Sequence, residues 1–163
     1  MPVNAERIIA GLRLGPGSSL LVVGDVGAEI LETFAGALGG LGNVTLLHRE
    51  PEPPAWSRRL AEKGLKTRRS MLLEHNDFLP SSTFDAIFAY NILDKLLGKR
   101  EFLSEAYRLL KPGGRFILVQ RLWPFTNMRG NEFRRLVERA RSYTIVGVDV
   151  GPLSARALLE RPQ

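Results

Sequence analysis

Residues 84–120 read FDAIFAYNILDKLLGKREFLSEAYRLLKPGGRFILVQ. The first seven residues of this stretch are almost all apolar, which is typical of a parallel strand covered on both faces. Apolar residues then recur at helical spacing over 102–110 and predict one buried helical stripe. The Pro112-Gly113-Gly114 turn is expected to stop that helix, and 116–119 is a second apolar run. The stretch therefore predicts a parallel β-α-β unit.

Outward from this unit, apolar runs and helical stripes alternate along most of the chain. The expected helices are one capped by Asn4 with Ile8, Ile9 and Leu12 on its inner face, and others over 28–38, 55–63 and 133–140. The expected strands are 19–23, 44–47, a weaker one within 67–73, 143–148 and 154–159, in addition to the two of the β-α-β unit. Such alternation predicts an α/β fold with a doubly wound parallel sheet of seven strands and right-handed crossovers. The short turn at Gly151-Pro152 predicts that the last strand runs antiparallel.

The length and the cysteine count limit the architecture and the chemistry. With 163 residues, the chain is expected to form a single domain over 1–163, with a short helix and linker over 1–18 and a core over 19–160. The chain contains no cysteine, which excludes disulfides, thiolate metal ligands and thiol nucleophiles. Two histidines leave little for metal binding, so no metal site is predicted.

Hydropathy and charge indicate the surroundings of the protein. No apolar run approaches the roughly 20 residues of a membrane span, and the start of the chain lacks the pattern of a signal peptide. We therefore expect no membrane association and a cytoplasmic location. The formal net charge of +6 favours anionic partners, nucleic acid among them.

The FD…LKPGG…V pattern of 84–119 resembles class I S-adenosylmethionine (SAM)-dependent methyltransferases of the small-molecule branch, and the likeness extends over 19–159. The resemblance implies a Rossmann-like methyltransferase fold with strand order 3-2-1-4-5-7-6. It also implies SAM as the cofactor and methyl transfer as the activity. In such sheets the ligand lies beyond the carboxyl ends of the strands, near the point where the strand order reverses.

The first loop of the family is glycine-rich and leaves room for the methionine and ribose parts of SAM. Here it corresponds to Gly24, Asp25, Val26 and Gly27, which the resemblance implies as cofactor contacts. Only Gly24 falls in register, because Val22 replaces the usual acidic residue and Val26 and Ala28 replace two glycines. The alternative interpretation is a tight strand-to-helix turn without a ligand.

The second and third loops supply the implied ribose and adenine contacts. His48 stands where the family places an acidic residue that accepts from both ribose hydroxyls, and neutral imidazole accepts only one such bond. Glu50 is the preferred substitute, and His48 is then a half-exposed residue at a strand end. Asn76 or Asp77 corresponds to the residue that meets the adenine amino group.

The fourth loop corresponds to the place of methyl transfer. Tyr90 and Asn91 end the fourth strand, and the resemblance implies both as cofactor contacts. Asn91 either orients a substrate or caps the following helix. Asp85 is expected to fix a loop rather than to react. No general base is evident, so the catalytic residues are unknown, although methyl transfer can run by positioning alone.

The segment 121–128, after the fifth strand, is a candidate lid over an otherwise open site. Trp123, Phe125 and Met128 lie in a stretch that otherwise has the composition of a loop. They suggest a substrate wall, or a contact with a second copy or another protein. The alternative is that they pack back onto the edge of the sheet.

Basic residues cluster in 58–69 and again in 134–141. Such runs usually form a solvated helix face, and few aromatic residues alternate with them to stack on bases. Three functions therefore stay open. The first is a minimal SAM-dependent methyltransferase, the second is an inactive methyltransferase-like interaction module, and the third is a basic nucleic-acid-binding protein on the same fold.

Overall fold

The computed structural model describes residues 4–70, 73–76 and 78–163, which form one seven-stranded sheet in the order β3-β2-β1-β4-β5-β7-β6. The strands are β1 (Leu20–Gly24), β2 (Val44–His48), β3 (Lys66–Arg69), β4 (Phe84–Tyr90), β5 (Leu110–Arg121), β6 (Thr144–Val150) and β7 (Ser154–Glu160). The helices are α1 (Ala5–Leu12), α2 (Ala28–Leu38), α3 (Ser57–Ala61), α4 (Lys99–Leu109) and α5 (Gly130–Glu138), with a 3-10 turn at Leu93–Lys95.

The strand directions confirm the predicted topology. β1 pairs in parallel with β2 on one side and with β4 on the other, so the strand order reverses between β1 and β4. β7 runs antiparallel to both of its neighbours, β5 and β6. The carboxyl ends of β1, β2, β4 and β5 therefore meet at one edge of the sheet, here called the carboxyl edge.

Local sequence signals set the ends of the first two helices. The side chain of Asn4 accepts a hydrogen bond from the Arg7 amide at 3.2 Å and caps α1, as predicted. The helix α2 ends at Gly39, whose φ of 74° is the left-handed conformation that a glycine adopts without strain. Gly27 is the N-cap of α2 and has no side chain to satisfy the amides of the first turn.

The passage from α4 to β5 differs from the sequence expectation. The helix ends at Leu109, and Leu110 is already extended and paired with Phe84. The Pro112-Gly113-Gly114 turn therefore lies inside β5 at an irregularity of the ladder, where Gly113 has a φ of 82°. Pairing with β4 ends the helix earlier than proline and glycine would.

Asp85 fixes the start of β4, as expected. Its carboxylate accepts a hydrogen bond from the Ser19 amide at 2.8 Å, and the Lys111 ammonium lies 3.3 Å from its other oxygen. These contacts hold the starts of β1, β4 and β5 together at the edge opposite the carboxyl edge.

The sheet separates two apolar clusters. One face packs against α4 and α5 around Phe102, Phe116 and Phe133. The other face packs against α1, α2 and α3 around Phe34 and Phe88. Burial of each such side chain stabilises the fold by about 1.5–3 kcal/mol, so both faces must be covered for the sheet to persist.

Within the described ranges, no helix is long and apolar enough to cross a membrane. The same part of the chain contains no group of three His, Cys, Asp or Glu side chains that could hold a metal ion.

Candidate functional site

The carboxyl edge brings together the loops after β1 and β4. Gly24 is paired with Tyr90, and the Asp25 amide donates to the Tyr90 carbonyl oxygen at 2.9 Å. The loop that starts α2 therefore begins directly beside the end of β4. His48 ends β2 on the other side of β1, and its carbonyl oxygen accepts from the Ser70 amide at 2.8 Å.

Gly24 is required by the fold itself. Its φ of 106° is unfavourable for any residue with a side chain, and a Cβ at this position would overlap the Tyr90 carbonyl group. The glycine in register with the family motif therefore has a structural reason that is independent of any ligand.

At position 27, by contrast, the fold does not require a glycine. Gly27 adopts an extended conformation with a φ of −91°, it is exposed, and a Cβ built on it would have no other atom within 4 Å. Val26, which replaces the second glycine of the motif, is 5% exposed and packs into the cluster beneath α2. The side chain of Val26 is therefore directed into the core, and the open face of the loop is lined by Asp25 and Gly27.

His48 and Glu50, at the end of β2, both lie at the carboxyl edge but differ in exposure. Glu50 is exposed, whereas the His48 side chain is 8% exposed, with its Nδ1 atom 2.9 Å from the Glu50 carbonyl oxygen. Because a carbonyl oxygen can only accept, Nδ1 of His48 is the donor in this contact. The sequence expectation that His48 is half-exposed is wrong, because its ring folds back onto the loop that follows it.

The loop after β3, which contains Asn76, is held by side chains of α4. Asn76 is 1% exposed, and its side-chain amide donates to the Leu73 carbonyl oxygen at 3.1 Å. The Asn76 backbone amide donates to the carboxylate of Glu105 at 2.6 Å. Asp77, the other candidate for the adenine contact, lies outside the described residues.

Glu105 is a buried acidic residue that supports the third loop and that the sequence motifs do not indicate. Burial by itself would raise the pKa of its carboxyl group, but hydrogen bonds from Arg108 and from Asn76 lower that pKa below its ordinary value. The Arg108 Nε atom lies 2.7 Å from Glu105, and Nη2 of the same residue reaches the Asn76 carbonyl oxygen at 3.0 Å. An acidic residue inside the apolar stripe of α4, with an arginine three positions later, is the sequence signal for this bracing pair.

Asn91 joins the end of β4 to the end of β5. It has a left-handed φ of 53°, its amide donates to the Val119 carbonyl oxygen at 2.8 Å, and its side-chain oxygen accepts from the Arg121 amide at 2.7 Å. The N-caps of the 3-10 turn and of α4 are Ile92 and Gly98, so the interpretation of Asn91 as a helix cap is wrong. Among the described residues the side-chain nitrogen of Asn91 has no hydrogen-bond partner.

Gln120 is a second buried polar residue that the sequence motifs do not indicate. It is fully buried, its side-chain oxygen accepts from the Leu93 amide at 3.0 Å, and its side-chain nitrogen donates to Asp94 at 2.8 Å. These bonds fix the 3-10 turn after β4 against β5. A lone glutamine at the end of an apolar strand is the signal that could have indicated it.

The segment after β5 is a folded loop with two exposed aromatic residues. Trp123 and Phe125 are 52% and 58% exposed, so the alternative that they pack back onto the sheet is wrong. Met128, which the sequence grouped with them as a contact residue, is 2% exposed and belongs to the core, so the alternative is confirmed for this residue. Association with a partner through Trp123 and Phe125 stays a prediction.

The basic residues of 58–69 lie on α3, on the edge strand β3 and, for Lys63, on the turn between them. Arg58, Arg68 and Arg69 are exposed, and Arg59 pairs with Glu32 of α2 at 3.0 Å. This arrangement is a solvated face of the kind that many basic proteins have. Nucleic-acid binding stays a prediction.

Comparison with known proteins gives consistent results. Residues 23–118 match the model of a family described as a methyltransferase domain. A SAM-dependent Diels-Alderase, iccD, of Talaromyces variabilis is 29% identical over 121 residues, which are 71% of this chain and 40% of that protein. The chain thus spans less than half the length of this relative.

Two solved structures illustrate the likeness of the fold. A SAM-dependent methyltransferase from Aquifex aeolicus superimposes with a TM-score of 0.79 at 22% identity, over 97% of this chain and 89% of that chain. The 1,6-didemethyltoxoflavin-N1-methyltransferase of Burkholderia thailandensis, with S-adenosylhomocysteine bound, superimposes with a TM-score of 0.72 at 18% identity, over 98% and 76%.

Proposed function

Because the chain belongs to the class I SAM-dependent methyltransferase family, we propose that it binds SAM at the carboxyl edge and transfers the methyl group to a small molecule. The proposal rests on the open space at Gly27. Nothing in the fold requires a glycine there, and its missing side chain leaves open space above the first turn of α2.

The residues around this space fit the parts of the cofactor. The first-turn amides of α2 have no side-chain cap, and the positive end of a helix dipole favours an anionic group such as the methionine carboxylate. Glu50 is exposed next to β2 and supplies two acceptor oxygens for the ribose hydroxyls. The loop of Asn76 and Asp77 is our proposed neighbour of the adenine ring.

SAM supplies an electrophilic methyl group on a sulfonium centre when it is bound. The chain then has to hold an acceptor in line with that group, which positioning alone can accelerate greatly. Asn91 is braced between β4 and β5, so its side-chain nitrogen is a fixed donor at the end of β4. We assign it, with Tyr90, to the orientation of the acceptor.

A second candidate function is SAM-dependent cyclisation without methyl transfer. The relative from Talaromyces variabilis is named a Diels-Alderase, and a site that orients substrates without an evident general base suits such a reaction as well as it suits methyl transfer. An inactive interaction module and a nucleic-acid-binding protein stay as alternatives. A cytoplasmic location and self-association are likewise predictions from the sequence.

Calorimetry with SAM and with S-adenosylhomocysteine tests the shared first step. We expect both to bind, and failure of both at millimolar concentration would favour the inactive module. Incubation with labelled SAM and candidate acceptors then separates the two enzymatic functions. Methyl transfer releases S-adenosylhomocysteine in proportion to product, whereas cyclisation leaves SAM unchanged.

A further inference from the structure

Arg121, Trp123, Phe125 and Arg129 form an exposed surface beside the candidate acceptor site, here called the arginine–aromatic platform. The Cζ atom of Arg129 lies 4.4 Å from the centre of the Trp123 ring. The Cζ atom of Arg121 lies 5.3 Å from the centre of the Phe125 ring. Each half-exposed aromatic ring thus has the guanidinium group of a neighbouring arginine over it.

The loop that presents the platform is rigidly built. Leu122 and Met128 are 3% and 2% exposed and anchor its two ends in the core. The Trp123 amide donates to the Met128 carbonyl oxygen at 2.8 Å and closes the loop. The Thr126 hydroxyl donates to the Arg121 carbonyl oxygen at 2.9 Å and accepts from the Met128 amide at 3.2 Å. The platform is therefore preorganised, and a ligand would not have to order it.

The charge of the platform is not neutralised by the rest of the fold. Over residues 4–70, 73–76 and 78–163, neither Arg121 nor Arg129 forms an ion pair with a carboxylate. The N–H donors of a guanidinium group lie in its own plane, so a guanidinium group whose carbon lies over an aromatic ring keeps donors free for a carboxylate or a phosphate. The platform therefore combines flat apolar surface with two unpaired positive charges.

The platform adjoins the residue to which we assign acceptor orientation. The backbone amide of Arg121 donates to the side-chain oxygen of Asn91, so the main chain of the platform's first residue is bonded to Asn91. At 52% and 58% exposure, the two rings leave on the order of 200 Å² for contact, given the areas that aromatic side chains bury. A specific protein interface needs about 800 Å² on each partner, so the platform suits a small molecule better than a second chain.

We propose that this platform binds the substrate, and that the substrate is a small molecule with a planar or apolar body and an anionic group. That the bound molecule is a substrate rests on the proposed function, but its binding to the platform does not require SAM. The anionic group is a carboxylate, sulfate or phosphate held by Arg121 and Arg129, and the body lies against Trp123 and Phe125.

The test uses a matched pair of probes, 4-nitrobenzoate and the neutral 4-nitrobenzamide. The chain contains two tryptophans, Trp56 and Trp123, so a Trp56→Phe background leaves Trp123 as the single reporter, and nitroaromatic compounds quench its fluorescence. Titrations without SAM are made on this background and on its Arg121→Gln, Arg129→Gln and doubly substituted forms. Arg134→Gln, an exposed arginine of α5 outside the platform, is the matched control.

We expect 4-nitrobenzoate to bind at least fivefold more tightly than 4-nitrobenzamide, with a preference that falls at high salt. Each arginine substitution should reduce the preference about threefold, the double substitution should remove it, and Arg134→Gln should preserve it. Equal affinity for the two probes, or a preference that survives the double substitution, would overturn the proposal. So would self-association that excludes the probe and is lost in Trp123→Ser. SAM binding is measured separately by calorimetry, so failure of the platform and failure of the cofactor site give different results.

Discussion

Replacing Gly27 by valine separates the ligand-related glycine of the first loop from the structural one. The substitution adds a branched side chain where a Cβ has no other atom within 4 Å, at an extended conformation that valine adopts readily. If the methionine part of SAM lies over this loop, the new methyl groups occupy the same space as the ligand.

The effect on stability should be small. Loss of glycine reduces the entropy of the unfolded chain and stabilises by about 0.4–1 kcal/mol. Valine is a poorer N-cap than glycine for α2, which costs a similar amount of roughly 1 kcal/mol. We therefore expect a net change within about 1 kcal/mol, which shifts the melting temperature of a domain of this size by no more than about 4 °C.

The effect on the cofactor should be large by comparison. Forcing extra methyl groups into an occupied space costs about 1–3 kcal/mol, or roughly a 5- to 150-fold loss of affinity. Calorimetry with SAM and with S-adenosylhomocysteine measures the loss, and thermal unfolding checks the fold. Gly15→Val is the matched control, because Gly15 lies in the linker before β1 and a Cβ on it is equally free of contacts. Unchanged SAM affinity in Gly27→Val would refute the placement of the cofactor.

Three further substitutions test the parts around the site. Gly24→Ala should destabilise the protein by at least about 1–2 kcal/mol, because of its φ of 106° and the overlap with Tyr90, and a wild-type urea midpoint would contradict this. Glu105→Gln should cost about 1.5–3 kcal/mol at pH 7. Because the folded-state pKa of Glu105 is lowered, its contribution exists above its ordinary value of 4.5 and is lost as the pH falls through the lowered pKa. Urea unfolding of both proteins should thus converge in acid, and a difference that persists there would reject the charge-based account. Gln120→Met should cost about 1–3 kcal/mol and speed hydrogen exchange of the Leu93 amide, whereas unchanged exchange would show that the bond is unimportant.

Periodicity and turn residues predict most of the fold. Near-continuous apolar runs identify the central strands because both faces of the sheet are covered, and the helix over 28–38 has the predicted ends. The strand order came from the family resemblance, since spacing alone does not specify which strands pair. The sequence predicts that α4 ends at the Pro112-Gly113-Gly114 turn, but the helix ends at Leu109. The reason is that Leu110 pairs with Phe84, which is distant in sequence, and local turn signals carry no information about such a contact.

The site was harder to predict because its residues act through contacts between distant parts of the chain. The family resemblance indicates Gly24 and Asn91. Only the structure shows that β4 requires a glycine at position 24 and that no neighbouring group requires one at position 27. The sequence marks Glu105 and Gln120 as polar residues in apolar surroundings, but it does not identify Asn76 and Leu93, 29 and 27 residues away, as the partners they hold. The exposure of Trp123 likewise depends on which neighbours of the loop are buried.

The buried polar contacts at the carboxyl edge favour a ligand site over an inactive scaffold. Glu105 braces the loop after β3, Gln120 the turn after β4, and Asn91 the junction of β4 with β5. Burying polar groups is costly, most of all where an atom such as Oδ1 of Asn76 has no hydrogen-bond partner among the described residues. Apolar residues of similar volume would stabilise a plain scaffold at least as well. The contacts have one shared consequence, which is that several loops of a single edge are fixed in shape. A small molecule held between those loops benefits from that rigidity, because fewer side chains must be ordered when it binds.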